Sequence, residues 1–341
     1  MKAWQIGARS GIDGLQMGEM AEPVAGTGEI LVRVTAAGLN YRDLMVLRGE
    51  YGTDLPSTRV PLSDGVGVVE AVGEGVTDLA VGDRVVAPHF VTWLEPEGYG
   101  FQVFGQDLGV TADGWLREKL MLPASAAIKL PDRVSDETAA TLAVVGGTVW
   151  HAMVAFGGAA PGKLVLAQGT GGVSMFALQL AKALGADFAI TSSSDEKLAK
   201  ARDMGADYTI NYRERPDWAA ALLEATGGRG ADVVVDTLGF PALGQTVAAT
   251  GVNGRIGTLG ALSGSPQDTA SASQGEIIGK NITIKGIASG SRSMLAEAID
   301  VIAANGIAMT VDREFAFEDA PAAYRHLESA AHMGKVLLRV G

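Results

Sequence analysis

The sequence predicts an α/β protein, with a doubly wound parallel sheet in the middle of the chain and a mostly antiparallel, barrel-like β region before it. Three observations carry this. From about Lys163, short β-branched runs alternate with helical stretches of about ten residues, the mark of βαβ units. Glycines stand just after the helical stretches as stop signals. The first 130 residues instead hold short strands punctuated by Gly and Pro, with little helix.

Taken in order, "EILVRVTAAG", "GVGVVEAVG" and "DRVVAP" are the N-terminal strands. "KLVLAQ" opens the parallel series, followed by a helix to Leu184 that Gly185 closes. "DFAIT", the helix "DEKLAKARDM" closed by Gly205, "DYTIN", the helix "PDWAAALLEAT" and "ADVVVDT" continue it. "PALGQTVAAT", "GRIGTLG" and "NITIKGI" complete it, the last as an edge strand. After Ser289 come the helix "SMLAEAIDVIAAN", the strand "TVDREFAF", the helix "APAAYRHLES" and the strand "KVLLRV". This tail is expected to return to the N-terminal region. The resulting division is 1–130 with 286–341 as one domain and 131–285 as the other.

Composition narrows the function. The 341 residues are 47% hydrophobic and 19% charged, enough for a large core and against disorder. A net charge of −12 argues against a nucleic-acid partner. There is no cysteine, so neither a disulfide nor a thiolate metal site can form. The four histidines, His89, His151, His326 and His332, have no pair at i, i+3 or i, i+4, and no metal is expected. The start, "MKAWQIGARSGIDG", has no apolar h-region. Thr138–Gly162 is uncharged and longer than the ~20 residues that cross a bilayer, but it holds five glycines and a proline and reads as a buried interdomain helix. The expectation is a cytoplasmic protein.

The stretch "VLAQGTGGVSMFALQLAKALGA" sets an apolar strand against a glycine cluster and then a helix with no acid in its first turn. This is the context of a dinucleotide fingerprint, here G-x-G-x-x-S. Gly169 permits the turn, Gly171 the approach of a pyrophosphate, and Ser174 takes the third small position. Thr170, Gly172 and Val173 complete the cradle, where free N–H groups and the helix dipole hold phosphate. The second strand ends in Ser192, Ser193 and Ser194, where an NAD site usually has an acid. Hydroxyls accept a 2′-phosphate that a carboxylate would repel, and Lys197 can supply charge. Asp195 is expected to cap the next helix.

These residues, with "GEILVRVTAAGLNYRD", "GVGVVEAVGEGVTDLAVGDRVV" and "HMGKVLLRV", resemble the medium-chain dehydrogenase/reductase superfamily over nearly the whole chain. The resemblance implies a GroES-like β-barrel catalytic domain built from both chain ends and a Rossmann domain between. Zinc members take ligands from the segments matching "GLNYRD", "PLSDGVG" and "VVGGT"; here these hold Asn40, Ser63 and Val144. The four-cysteine structural zinc loop is missing. The sequence is thus similar to the zinc-free quinone oxidoreductase branch, which prefers NADPH. That branch binds the 2′-phosphate with a Lys in "DEK" and a Tyr fifteen residues later, matching Lys197 and Tyr212.

With no metal or flavin motif, the chemistry left is hydride transfer between nicotinamide and a small carbonyl or quinone. The resemblance places Asn40, Asp43 and Tyr51 at the nicotinamide pocket as candidate catalytic residues, Asn40 also touching cofactor, with Tyr51 as the preferred proton donor. Tyr41 is a further candidate, and the branch's other pocket tyrosine falls at Met45. Thr148 is expected near the nicotinamide amide, and Leu259, Gly260, Ala261 and Leu262 along the ring. Plainer readings stand beside these: Asn40 as a helix cap, Asp43 as a buried ion-pair partner of a nearby Arg, and His89 as a structural or surface residue. Three functions remain: an NADPH-dependent reductase of quinones or α,β-unsaturated carbonyls, a zinc-free NADP(H) alcohol dehydrogenase or carbonyl reductase, and a non-catalytic NADPH-binding protein. The edge strand "NITIKGI" predicts a homodimer.

Overall fold

The computed structural model describes residues 1–52, 54–260 and 272–341. The chain forms two compact units, Met1–Gly147 with Gly290–Gly341, and Thr148–Ser289. The first contains β1 (Lys2–Gln5), β2 (Gln16–Glu19), β3 (Glu29–Leu39), α1 (Tyr41–Arg48), β4 (Asp64–Val72), β5 (Arg84–Val86), β6 (Lys119–Pro123), β7 (Ile128–Lys129) and α2 (Asp136–Ala139). The boundary falls within α3 (Leu142–Trp150). The second unit follows with β8 (Leu164–Gln168), α4 (Gly172–Ala183), β9 (Asp187–Ser192), α5 (Asp195–Asp203), β10 (Tyr208–Asn211) and α6 (Trp218–Ala225). It ends with β11 (Ala231–Asp236), α7 (Leu243–Ala249), β12 (Thr250–Thr258), α8 (Gln274–Gly279) and β13 (Thr283–Gly286). The chain then re-enters the first unit with α9 (Arg292–Asn305), β14 (Val311–Ala316), α10 (Ala320–Glu328) and β15 (Lys335–Arg339).

The second unit is a six-stranded parallel sheet in the order β10-β9-β8-β11-β12-β13. β8 is buried at every residue and β9 and β11 at nearly every one, as parallel strands covered on both faces must be. The helices between them stop where the sequence stops them. Gly185 and Gly205 take the left-handed conformation, with φ of 73° and 100°, that a side chain would resist. Stacked side by side, the strands bring the segments after β8, β9, β10 and β12 to one edge of the sheet, the carboxyl end where α/β proteins bind ligands.

The first unit is built on a sheet in the order β14-β15-β3-β4-β5-β7, with β6 also on β3. All its pairs are antiparallel except β14 with β15. β3 is the hub. The last strand of the chain lies on one side of it, Val336 opposite Leu39, and β4 on the other, Asp64 opposite Gly38. Gly38 must be glycine, since a Cβ there would meet the Ala140 carbonyl oxygen at 2.3 Å. The segment from 131 to 147, which the sequence groups with the parallel sheet, is held in this first unit by Asp136. Its carboxylate accepts from Arg84 and from the Thr35 hydroxyl at 2.8 Å. The uncharged stretch 138–162 is not one helix. α3 passes into a π-helical segment, His151–Phe156. Among the described residues no helix is long and apolar enough to cross a membrane.

Candidate active site

In the first unit, polar side chains gather where β3 ends and α1 begins. Asn40 is the N-cap residue of α1, in extended conformation. Its backbone N–H donates to Asp43 Oδ2 at 2.8 Å, and its side-chain oxygen accepts from Lys335 Nζ at 2.7 Å. Lys335 also donates to Asp64 Oδ2 at 2.9 Å, and Asp64 Oδ1 accepts the Val144 N–H at 2.7 Å. Lys335 and Asp64 are 3% and 0% exposed, so this is a buried ion pair in which each partner makes one further hydrogen bond, the lysine to Asn40 and the carboxylate to the Val144 N–H. The strand register explains the meeting: β3 lies between β15 and β4, and the two charged residues stand at the ends of those strands.

Asp43 faces the same core. It is 1% exposed, and its Oδ1 accepts from the Ser63 N–H at 3.2 Å and the Ser63 hydroxyl at 2.9 Å. No ion pair with an arginine forms at Asp43 among the described residues. The adjacent Arg42 turns elsewhere and pairs with Asp107. Burial pushes the Asp43 carboxyl up to about 6, against the opposing pull of the Arg42 charge, with Asp64 adding to the rise. Asp107 also holds His89, its Oδ1 lying 2.8 Å from Nδ1. His89 is therefore an interior residue of a charged cluster, and burial together with the Arg42 charge lowers its pKa. The Arg42 guanidinium lies over the Tyr51 ring, 4.8 Å from its centroid. Burial raises the Tyr51 phenol, while Arg42 works to lower it. Thus Asn40 and Asp43 share the start of α1 and Tyr51, beyond its end, is joined to it through Arg42, whereas Tyr41 is 44% exposed and Met45 half-buried.

In the second unit the glycine turn follows β8. Gly169 has φ 74°, and Gly171 is the N-cap of α4. A Cβ built on either would meet nothing within 4 Å, so the backbone there borders open space. Ser174 is buried because its hydroxyl donates back to the Gln168 carbonyl at 2.7 Å, which ties helix to strand. The first turn of α4, which holds Gly172 and Val173, carries no acid, and Thr170 is buried. This arrangement fits a pyrophosphate.

Ser192 ends β9 beside Asn211 of β10, and the Tyr212 N–H donates to the Ser192 carbonyl at 3.0 Å. The strand pairing thus brings Ser192, Ser193 and Tyr212 together, with Lys197 in the first turn of the helix that follows. The Ser192 hydroxyl is buried and accepts from the Ser194 N–H at 3.3 Å; Tyr212 is 41% exposed. The cap of α5 is Ser194, accepting from the Lys197 N–H, and not Asp195. Asp195 is displaced by one residue into the first turn, where its carboxylate accepts from Asn211 at 2.8 Å. Thr148 is buried, its hydroxyl 3.4 Å from that of Ser289. The Leu259 N–H donates to the Asp236 carbonyl at 3.0 Å. Gly260 packs so close that a Cβ would meet the Thr237 carbonyl at 2.1 Å. Ala261 and Leu262 lie outside the described residues.

Comparison with known proteins agrees with both halves. Residues 26–132 match the alcohol dehydrogenase GroES-like domain and 172–304 the zinc-binding dehydrogenase family. A zinc-type alcohol dehydrogenase-like protein of Schizosaccharomyces pombe is 40% identical over 97% of this chain and 96% of its own. The chain belongs to the medium-chain dehydrogenase/reductase superfamily. Two solved members frame it: an NAD-dependent alcohol dehydrogenase (TM-score 0.90, 33% identity, 100% of both chains covered) and the Escherichia coli quinone oxidoreductase complexed with NADPH (TM-score 0.81, 27% identity, 100% of both chains covered). This medium-chain dehydrogenase/reductase is therefore an oxidoreductase with a GroES-like domain, a Rossmann-like parallel sheet and a nicotinamide dinucleotide as its cofactor.

The residues do not fit a zinc ion at the superfamily's catalytic position. The Asn40 oxygen is engaged by Lys335, the Ser63 hydroxyl by Asp43, and Val144 has no donor side chain. The two carboxylates alongside, Asp64 and Asp43, each have both oxygens engaged, one of those of Asp64 by an ammonium. Among the described residues no group of three or more His, Asp or Glu side chains could hold a metal. Sequence reasoning missed Lys335, Asp64, Arg42 and Asp107. Its available signal was a lysine at the head of the apolar run "KVLLRV", which burial obliges to find a partner.

The Asp43 carboxyl yields a pH dependence. A carboxyl raised from 3.8 to about 6 makes the ionised native state costlier than the ionised unfolded chain, by about 3 kcal/mol. Its contribution is most favourable to folding below pH 4 and is lost as pH rises through 6. A carbon-13 titration of Asp43 is expected to centre near pH 6, with native-state stability falling across that window relative to an Asp43→Asn variant. A midpoint at or below 4 would show that the three hydrogen bonds to this carboxylate outweigh its burial.

Proposed function

We propose that this chain is a metal-independent, NADP(H)-dependent reductase of quinones or α,β-unsaturated carbonyls. The observation that carries the reading is the Asn40–Lys335–Asp64 arrangement where zinc relatives hold their metal. Bound NADPH would supply a hydride equivalent. When hydride adds to a conjugated acceptor, the electron pair moves through the double bonds to oxygen, and the enolate or phenolate formed is a weak base. Hydrogen-bond donors are enough to stabilise it. Hydride addition to an isolated aldehyde or ketone leaves a localised alkoxide, which needs stronger stabilisation, such as a Lewis acid supplies. On this reading Asn40 donates to the acceptor oxygen and Tyr51 supplies the proton, while Asp43 holds the start of α1 through the Asn40 N–H.

The turn at Gly169–Val173 would hold the pyrophosphate, Ser192, Ser193, Lys197 and Tyr212 the 2′-phosphate, and Thr148 with Leu259 and Gly260 the nicotinamide. A second reading, a zinc-free alcohol dehydrogenase or carbonyl reductase, is favoured by the names of the relatives above, including the NAD-dependent one. NADPH oxidation followed against a quinone, an enone and an aldehyde, with and without a strong chelator, separates these. We expect quinone or enone turnover that survives chelation. Turnover of the aldehyde alone favours the second reading, no turnover a binding protein, and stoichiometric zinc overturns the metal-free assignment.

Cofactor choice rests on charge. A 2′-phosphate carries nearly two negative charges, and a charge-assisted hydrogen bond is worth roughly 1.5–3 kcal/mol. Lys197→Ala should weaken NADPH by about one to two orders of magnitude and leave NADH nearly unchanged. Ser192→Asp should move preference toward NADH. Equal binding of both cofactors by the wild type, or equal weakening of both by Lys197→Ala, would mean that Lys197 is only a helix-surface residue.

Assembly follows from the sheet edge. β13 is a terminal strand, three of its four residues are exposed, and unpaired backbone of this kind recruits a second strand. We read a homodimer in which β13 pairs across a two-fold axis. Light scattering at micromolar concentration should give twice the 35.1 kDa of the chain; a monomer excludes it.

A further inference from the structure

We propose that Lys335 is a positioning residue: it fixes the Asn40 side-chain amide so that Nδ2 is presented as a donor to a carbonyl oxygen of a bound ligand. The inference rests on the reading above, that Asn40 touches the reacting groups, and adds the device that orients it.

An asparagine amide has two orientations that differ by exchange of oxygen and nitrogen. Here chemistry decides between them. Lys335 carries only donors, so the Asn40 atom 2.7 Å from Nζ must be the oxygen. Rotating the amide would set an NH₂ group against an ammonium in the interior. Lys335 cannot move aside to permit this, because Asp64 holds it at 2.9 Å and is itself fixed by the Val144 N–H. The Asn40 backbone is pinned as well, its N–H on Asp43 Oδ2 and its carbonyl accepting the Asp43 N–H at 3.0 Å. What remains is Nδ2. It is buried in a residue only 8% exposed and has no hydrogen-bond partner among the described residues. A buried donor held in one orientation and left without an acceptor is costly to the empty protein. It is accounted for when a ligand carbonyl completes it. Two carbonyls are chemically equivalent candidates: the oxygen of the acceptor substrate and the carboxamide oxygen of the nicotinamide.

Four variants test this: Asn40→Ala, Asn40→Asp, the charge-balanced Asp64→Asn/Lys335→Met, and the latter combined with Asn40→Ala. Folding is checked by thermal melting, NADPH affinity by titration without acceptor, and kcat and KM with a quinone or enone. The Asn40 side-chain NH₂ resonances, assigned by their loss in Asn40→Ala, are followed in the wild type. Asn40→Ala should lower either NADPH affinity or kcat/KM by about tenfold, one hydrogen bond's worth. A fall in affinity assigns the partner to the carboxamide, and a fall in kcat/KM at unchanged affinity assigns it to the acceptor. Asp64→Asn/Lys335→Met should cost as much, and adding Asn40→Ala to it should cost less than about twofold more, since a freed amide no longer counts.

Asn40→Asp retains an oxygen for Lys335 and replaces the donor by a second oxygen, its folding being checked by the same melting. It should lose at least as much as Asn40→Ala. The wild-type NH₂ resonances should shift when NADPH or acceptor is added. If Asp64→Asn/Lys335→Met is folded and as active as the wild type while Asn40→Ala is impaired, Lys335 does not position Asn40 and the proposal fails alone. Full activity of Asn40→Asp overturns it even if the Lys335 variants do not fold. If Asn40→Ala matches the wild type in every measurement and the resonances do not shift, the role of Asn40 itself fails, and the proposal with it.

Discussion

The buried pair of Lys335 and Asp64 is the constraint around which the first unit is arranged. The two residues are 271 positions apart in sequence and 2.9 Å apart in space. One heads the last strand of the chain, the other opens β4, and β3 runs between them. Burying an ammonium and a carboxylate is expensive unless both are satisfied, and loss of one partner typically costs about 3–5 kcal/mol. That penalty makes the closure of the unit by its C-terminal strand close to all-or-none. It also fixes the register of β15, because a slip of one residue would turn the lysine to the opposite face. The N-cap of α1 and the backbone at Val144 are drawn into the same network through Asn40 Oδ1 and Asp64 Oδ1. The tie that closes the unit and the orientation of the Asn40 amide are therefore one structure.

From that anchor the start of α1 distributes two neighbouring side chains to two different clusters. Asp43 turns inward and meets only neutral N–H and O–H donors, so its burial is not offset by a direct ion pair and its proton is held more tightly than usual. Arg42 reaches Asp107 and lies over Tyr51, which leaves the tyrosine flanked by a cation on its face. His89 closes that second cluster through Asp107. The cation opposes the burial that would otherwise raise the Tyr51 phenol further. Both clusters depend on the single turn of helix that begins at Asn40, which is why "NYRD" is more informative than its four residues suggest.

What could be read beforehand follows the range of the interactions. The parallel sheet was legible because β8, β9 and β11 are local runs of apolar residues, and because Gly185 and Gly205 stop their helices by a local backbone preference. The glycine turn was legible for the same reason. The cap of α5 was misread by one position, since Ser194 and Asp195 are both good caps and only the observed backbone distinguishes them. The single helix expected over 138–162 gave way to α3 and a π-helical segment. The polar network was not legible. Each of its links, Asn40 to Lys335, Lys335 to Asp64, Arg42 to Asp107, joins segments that only the finished sheet brings together.

On the metal-free reading proposed above, the network takes the place of a Lewis acid. A zinc ion polarises a carbonyl by direct coordination and must exchange ligands as it does so. Lys335 offers a buried positive charge already held by Asn40 and Asp64. On that reading it acts on a ligand through the orientation and polarisation of the amide it holds. A delocalised enolate or phenolate needs less stabilisation than a localised alkoxide, and a single such donor goes further toward it. On the proposed reading the substrate is then constrained by electrostatics as well as by pocket shape. The proposed acceptors, whose electrons can spread over a conjugated system, match an amide donor, and the ion pair that closes the fold would be what keeps that donor in place.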